Sequence, residues 1–180
     1  MPDSSANNVD AIKTKLMEYA RGVDRRDWEL VRNAYHVDAY DDHGGFKGGV
    51  DDLLVWLERR HATIAQSMHF LGNILIDFKS PVKAIAETYC LVFQKYGAEA
   101  FETIQSWLGD ISLADGEYVE MRLTCRYIDE FKPRDGEWRI QRRQVVFESI
   151  ACSKVEIPLG ASWLQSTRDR SDPLWAAIAS

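Results

Sequence analysis

The spacing of apolar residues changes from a helical period to a strand period near Met68, and this change is what most constrains the fold. Before it, apolar residues recur every three or four positions, which predicts an amphipathic helix over about residues 8–23 with Asn8 as its N-cap. The same period predicts a second helix from Asp27 to Tyr35 and a third that begins at Val50. After Met68 the period is two, so helices are followed by strands.

Four strands are predicted after Met68, because β-branched and aromatic residues alternate there over strand lengths. Their ranges are 68–78, 83–96, 117–131 and 137–150. The turn residues 133–136 join the last two strands as an antiparallel hairpin, and the Gly-rich segment 41–49 is expected to be a hairpin-like connection. We expect one α+β domain over residues 1–150, with helices confined to the part before about residue 66 and to the tail 151–180, which packs on the domain or on a subunit interface.

Composition narrows the choice of partners and of cellular compartment. The chain of 180 residues has 22 Lys and Arg against 28 Asp and Glu, a formal net charge of −6, so no nucleic-acid partner is expected. No apolar run approaches the ~20 residues that span a bilayer, and the N-terminus lacks a secretory signal. We therefore expect a cytoplasmic protein with no membrane partner. Cys90, Cys125 and Cys152 are widely spaced in apolar sequence, which predicts reduced thiols.

Two short segments each place one titratable side chain beside an otherwise amphipathic or apolar element. Asp24 follows the first helix within residues 22–28, and His69 begins a strand within residues 68–73. A carboxylate that orients a histidine is the simplest general base, so these two residues must meet in the fold if they act together. Asp24 could instead cap the next helix, a role that we assign to Asp27, and His69 could be an ordinary hydrogen-bonded core residue.

The order helix, helix, Gly-rich link, helix and sheet resembles the SnoaL-like and nuclear transport factor-like superfamily, whose cone-shaped fold is cystatin-like. More narrowly, segments 22–26, 46–48, 69–78 and 134–138 resemble the scytalone dehydratase and hexachlorocyclohexane dehydrochlorinase group. Members of that group eliminate water or HCl from a ring with an Asp–His dyad and no cofactor. The resemblance implies a strongly curved antiparallel sheet and a cofactor-independent lyase or isomerase for a small, apolar, cyclic substrate.

The resemblance also assigns residues. Asp24 matches the aspartate of the dyad, His69 matches its base, and Arg134 lies near the position of an arginine that the dehydrochlorinases use. The dehydratases use a second histidine as well. The candidates for it in this chain are His36, His43 and His61.

The expected pocket wall is aromatic and apolar, as small-ligand sites usually are. The residues chosen for it are Trp28, Tyr35, Tyr40, Trp56, Leu71, Tyr89, Phe93, Tyr127 and Phe147. Asn73 comes four residues after His69 and is expected on the same strand face, where it would polarise a substrate oxygen. Asp41, Asp42 and His43 have the residue types of metal ligands but lie in a Gly-flanked link, so no metal is expected there.

Other functions stay open on the sequence. One alternative is a non-catalytic small-ligand-binding protein or the small scaffold subunit of a ring-hydroxylating oxygenase. Another is an isomerase with a carboxylate base, for which Asp77, Glu87 and Asp129 are available. A bond between the dyad residues at the floor of an open cavity would favour catalysis. We also expect a homodimer or homotrimer formed through the outer sheet face, because residues 85–93 are apolar on both strand faces.

Overall fold

The computed structural model describes residues 4–114, 116–155 and 159–180. Its helices are α1 (Ser4–Arg25), α2 (Trp28–Asn33), α3 (Val50–His61), α4 (Phe101–Leu108) and α5 (Pro173–Ala179). Its strands are β1 (Tyr35–Asp42), β2 (Lys47–Gly49), β3 (Ile64–Ser80), β4 (Lys83–Tyr96), β5 (Tyr118–Arg134) and β6 (Glu137–Val155). No helix within these residues is long and apolar enough to cross a membrane.

The strands form one open, curved sheet in the order β2-β1-β6-β5-β4-β3, which confirms the α+β class. The four long strands pair antiparallel with one another, while β1 lies parallel to β6. The ladder is interrupted by register shifts at residues 71–74 of β3 and at residues 124–125 and 130–131 of β5. Such bulges bend a strand and increase its twist, which suits a sheet that wraps around helices.

The main core lies between one face of this sheet and the helices α1 and α3. In α1, Leu16, Tyr19 and Val23 follow the helical spacing and are each about 1% exposed. Leu53 and Leu57 are the corresponding buried residues of α3. A smaller cluster forms where Ile104 of α4 packs with Ile64, Tyr96, Val119 and Met121.

Three local predictions are wrong. Asn8 is not an N-cap, because α1 begins before it and its side-chain oxygen accepts a hydrogen bond of 3.1 Å from Trp138 Nε1. The second helix ends at Asn33 rather than Tyr35, since residues 35–42 pair with two strands and form β1. The third error concerns α4, because helices were predicted only before about residue 66 and in the tail. The burial of Ile104 explains why a helix forms at residues 101–108. The hairpin-like connection is present as the β1–β2 pair.

The three cysteines are free. Cys90 and Cys125 are buried and face each other across β4 and β5, although they are distant in the sequence. Cys152 is half-buried.

Candidate active site

The end of α1 and the beginning of β3 bring Asp24 and His69 together. Asp24 Oδ1 accepts a hydrogen bond of 2.7 Å from His69 Nδ1, and Asp24 Oδ2 accepts one of 2.7 Å from the His69 backbone N–H. Both side chains are nearly buried, with exposed fractions of 11% and 8%. The expected contact between them is therefore present; its role in catalysis stays a prediction.

A chain of polar side chains on the sheet fixes the Asp24 carboxylate. Ser67 Oγ donates to Asp24 Oδ1 over 2.8 Å, Gln94 Nε2 donates to Ser67 Oγ over 3.5 Å, and Tyr96 Oη donates to Gln94 Oε1 over 2.7 Å. Asp27 caps α2 instead, since its carboxylate accepts from the Leu30 N–H at 3.2 Å. Asp27 therefore has the capping role that was predicted for it.

The turn between α1 and α2 explains the local sequence around Asp24. Arg26 has a φ of 55°, and the N–H of Asp27 donates to the Gly22 carbonyl over 2.8 Å, as in a common C-terminal turn of helices. A Cβ atom on Gly22 would lie 2.7 Å from Val31 Cγ2, so only glycine fits where the two helices cross. The turn therefore sets the position from which Asp24 reaches β3.

The electrostatics of the pair follow from burial and from the contact itself. Burial by itself raises the pKa of Asp24, but the charge and hydrogen bonds of His69 outweigh it and hold the pKa below its usual value. Burial lowers the pKa of His69, and the Asp24 carboxylate more than reverses that effect, so the pKa lies above its usual value. An ionised Asp24 holds the proton of neutral His69 on Nδ1, which leaves the lone pair on Nε2.

The His69 ring lines a cavity of about 200 Å³ between the sheet and the helices α1 and α3. The hydrocarbon part of its wall includes Val23, Leu57, Val92, Leu123 and Val145. No described residue makes a hydrogen bond to His69 Nε2. His69 also borders a second groove, with Met17 and Leu71, and its Nε2 is free to bond to a molecule that contacts the ring.

Comparison with known proteins agrees with this architecture. Residues 4–144 match the SnoaL-like domain. The chain belongs to the SnoaL-like family. None of the curated proteins compared with it matches.

Solved structures resemble this SnoaL-like protein in fold. A candidate scytalone dehydratase from Novosphingobium aromaticivorans has a TM-score of 0.67 and 19% identity, covering 92% of this chain and 100% of its own. A hexachlorocyclohexane dehydrochlorinase, LinA type 2, has a TM-score of 0.66 and 15% identity over 89% of this chain and 96% of its own. A protein of unknown function with a cystatin-like fold from Nostoc punctiforme has a TM-score of 0.56 and 16% identity, with coverages of 76% and 88%. At such identities these likenesses confirm the cystatin-like fold.

Only part of the expected pocket wall lines the cavity of the SnoaL-like protein. Trp56, Tyr127 and Phe147 do so, and Phe147 is about half exposed at its edge. The other chosen residues lie elsewhere, for two different reasons.

The first reason is strand parity. In β4 the residues at even positions face the helices, so Tyr89 and Phe93 are on the outer face. In β3 the register shift between Leu71 and Ile74 places one extra residue in the strand, so Asn73 is not on the face of His69 but in an outer groove with Tyr89. Leu71 packs at the edge of the core and does not line the cavity.

The second reason is that three of the chosen residues lie on parts of α2 and β1 that do not border the cavity. Trp28 lies edge-on to His61 and borders a groove on the surface, while Tyr35 is buried with its hydroxyl on Asp41. Tyr40 is exposed beneath the guanidinium of Arg142.

Arg134 and His36 are both remote from the cavity. The Arg134 guanidinium donates to the Asp38 carboxylate over 2.7 and 3.1 Å at the exposed β5–β6 turn, so it cannot contact a molecule bound beside His69. His36 Nε2 bonds to the Lys132 carbonyl over 2.8 Å near the same turn. Of the candidate second histidines, the two that line the cavity are His43 and His61.

The carboxylates considered as alternative bases are occupied or outside. Asp129 is fully buried, but its two oxygens accept hydrogen bonds of 2.7 Å from Arg143 Nε and Nη2. Glu87 pairs with Arg126, and Asp77 is exposed. Among the described residues, no group of three or more His, Cys, Asp and Glu side chains is arranged to hold a metal ion.

Sequence reasoning missed Arg168, a buried residue of the C-terminal segment. Its guanidinium donates to the carbonyls of Val23, Asp24 and Ile64 over 2.9, 3.0 and 2.8 Å. It also donates to His61 Nδ1 over 2.8 Å. Burial and the positive charge of Arg168 lower the pKa of His61 well below its usual value, so His61 is neutral. The helix end has carbonyls without helical partners, but no local pattern marks the distant arginine that reaches them.

Proposed function

We propose that this SnoaL-like protein is a cofactor-independent lyase or isomerase that removes a proton from carbon in a small, apolar, cyclic molecule. His69 is the base, and Asp24 is the carboxylate that orients it. The observation that carries the proposal is the 2.7 Å bond from His69 Nδ1 to Asp24, with Nε2 unshared and the residue in the wall of an apolar cavity. A ligand-binding or scaffold protein has no need of such a pair facing its cavity.

The chemistry follows from the state of the pair. Neutral His69 accepts a proton from a C–H bond at Nε2, and the electrons of that bond form a double bond as a group on the neighbouring carbon departs. Asp24 stabilises the imidazolium as it forms, in an environment where charges are poorly screened by water. General-base assistance of this kind contributes roughly 10²–10⁴ in rate.

The size of the cavity supports a single ring as substrate. An apolar protein cavity of roughly 150 Å³ is enough to hold benzene. The cavity here has a volume of about 200 Å³ and a largely hydrocarbon wall. One six-membered ring with a substituent fits this space.

The test is a panel of monocyclic β-hydroxyketones and chlorinated cyclohexanes, followed by product detection. We expect His69→Ala and Asp24→Asn to lower kcat/KM for any substrate found by roughly 10²–10⁴, with thermal midpoints within a few degrees of the parent. Glu29→Gln changes an exposed carboxylate outside the cavity and serves as the control. Full turnover by His69→Ala would refute the proposal.

If the panel yields no substrate, proton exchange at the α-carbons of cyclohexanone in D₂O tests the base directly. We expect the parent to accelerate exchange and His69→Ala to lose the acceleration. Equal exchange rates for the two proteins would count in favour of the non-catalytic alternatives.

A further inference from the structure

Two buried thiols, those of Cys90 and Cys125, have no part in the proposed function. The two residues are Cα partners in the β4–β5 ladder, which runs without a register shift from Ala84 to Tyr96. Directly opposite residues of an antiparallel pair have Cα atoms about 4.5–5.5 Å apart and side chains on the same face. A disulfide needs Cα atoms roughly 4.4–6.8 Å apart. The backbone therefore already has the spacing that a disulfide between these residues requires.

Both cysteines lie where only small molecules can approach the sheet. They border the outer groove that contains Asn73 and Tyr89, and Cys125 also lines the cavity beside His69. Cys90 is 2% exposed and Cys125 is 4% exposed. A reagent that reaches either sulfur atom must therefore be small.

The two thiols differ in how readily they lose a proton. Hydrogen bonding by the Cys125 thiol lowers the pKa of Cys90 below its usual value, although burial opposes this effect. The same hydrogen bonding, together with burial, raises the pKa of Cys125. Cys90 Sγ also lies 3.6 Å from the hydroxyl oxygen of Tyr127. Because the thiolate is the reactive form of cysteine, Cys90 is the nucleophile of the pair and Cys125 keeps its proton.

We propose that Cys90 and Cys125 form a site of reversible oxidation by hydroperoxides, in which Cys90 reacts first and Cys125 then closes a disulfide across β4 and β5. A second thiol beside the reactive one is the arrangement that makes cysteine oxidation reversible. The small opening favours hydrogen peroxide over a large oxidant such as glutathione disulfide. The disulfide joins two strands that carry cavity residues, Val92 on β4 and Tyr127 on β5.

The reaction balances with the peroxide as the oxidant. The Cys90 thiolate attacks one oxygen of hydrogen peroxide, the O–O bond breaks, and the hydroxide that leaves takes a proton from solvent. Cys90 is then a sulfenic acid. The Cys125 sulfur attacks Cys90 Sγ, the S–O bond breaks, and the leaving hydroxide takes the proton of Cys125 and departs as water. The two thiols together lose two electrons, which reduce the peroxide to water.

The test is a peptide map of the folded protein after treatment with one equivalent of hydrogen peroxide. Trypsin cleaves after Lys95, Arg122 and Arg143, so the three cysteines fall in separate peptides. We expect the peptides of Cys90 and Cys125 to be linked, with the loss of two hydrogen atoms, and dithiothreitol to restore both thiols. Burial raises the pKa of Cys152, so that thiol should be oxidised at least roughly tenfold more slowly than Cys90.

Two variants assign the roles of the thiols. In Cys125→Ala, excess peroxide should convert Cys90 to a sulfinic acid that dithiothreitol does not reduce, because the thiol that closes the disulfide is missing. Cys152→Ala is the matched control, and the linked peptide should form in it as in the parent.

The parent protein alone is enough to overturn the inference. Cys90 and Cys125 thiols that remain fully alkylatable after peroxide would do so, as would a linked peptide that forms only in urea. A sulfinic acid on Cys90 beside a free Cys125 would overturn the role of Cys125, and a glutathione adduct from glutathione disulfide would overturn the restriction to hydroperoxides. No substrate enters this test, so its failure leaves the role of His69 as base unaffected, and a failure to find turnover leaves the oxidation site unaffected.

Discussion

Arg168 provides the sharpest test of how the C-terminal segment supports the site. Its side chain joins the end of α1, which carries Asp24, to the beginning of β3, which leads to His69. Replacement by Met keeps most of the volume and removes every hydrogen bond of the guanidinium. We expect the Arg168→Met variant to lose both stability and turnover.

The size of the effect follows from the bonds that are lost. Hydrogen bonds to a charged group contribute roughly 1.5–3 kcal/mol each, and three backbone carbonyls accept from Arg168 at 3.0 Å or less, with a fourth, that of His61, at 3.5 Å. The energies of neighbouring bonds are not additive. Burial of the guanidinium also disfavours its positive charge, and for that reason the pKa of Arg168 falls to about 10. A net loss of about 2–4 kcal/mol in the free energy of unfolding results, or roughly 4–16 °C in Tm for a chain of this size.

Urea unfolding followed by far-UV circular dichroism measures the change. The control is Arg170→Met, two residues away, because that side chain is 72% exposed and its ion pair with Asp27 is 3.2 Å long. An exposed pair of this kind contributes at most about 1 kcal/mol. Equal destabilisation by the two variants would refute the anchoring role of Arg168.

The remaining predictions concern pH, packing and assembly. Because only neutral His69 can act as base, kcat/KM should rise with pH around a midpoint above 6.5. Asp24→Asn should move that midpoint downward, because it removes the carboxylate that raises the pKa of His69. A fall in kcat/KM over the same pH range would contradict the assignment of His69 as the base. Gly22→Ala should cost about 1–3 kcal/mol in unfolding free energy, because its Cβ would be 2.7 Å from another side chain, whereas Gly49→Ala, with nothing within 4 Å, should cost less than half as much by the same urea titration. Sedimentation should show a dimer or trimer, and Leu91→Asp on the exposed outer sheet face should give a monomer; an unchanged assembly would locate the interface elsewhere.

The features that the sequence determined by itself are those with a local cause. The change of period near Met68 reflects how side chains alternate in helices and strands, and it placed α1, α2 and α3 before the long antiparallel strands. Asp27 could be identified as a cap because capping involves residues within one helical turn. Asp24 and His69 could be paired because each lies in a segment that resembles the same group of proteins.

The features that only the tertiary structure decided depend on contacts between distant segments. A single extra residue in β3 moves Asn73 to the outer face, and the spacing from His69 contains no sign of that shift. Residues 35–42 form a strand because β2 and β6 pair with them, an effect that local propensity does not include. Arg168 and His43 join the site only because the folded chain brings their segments to the helix end and to the cavity, where burial makes each unpaired polar group costly.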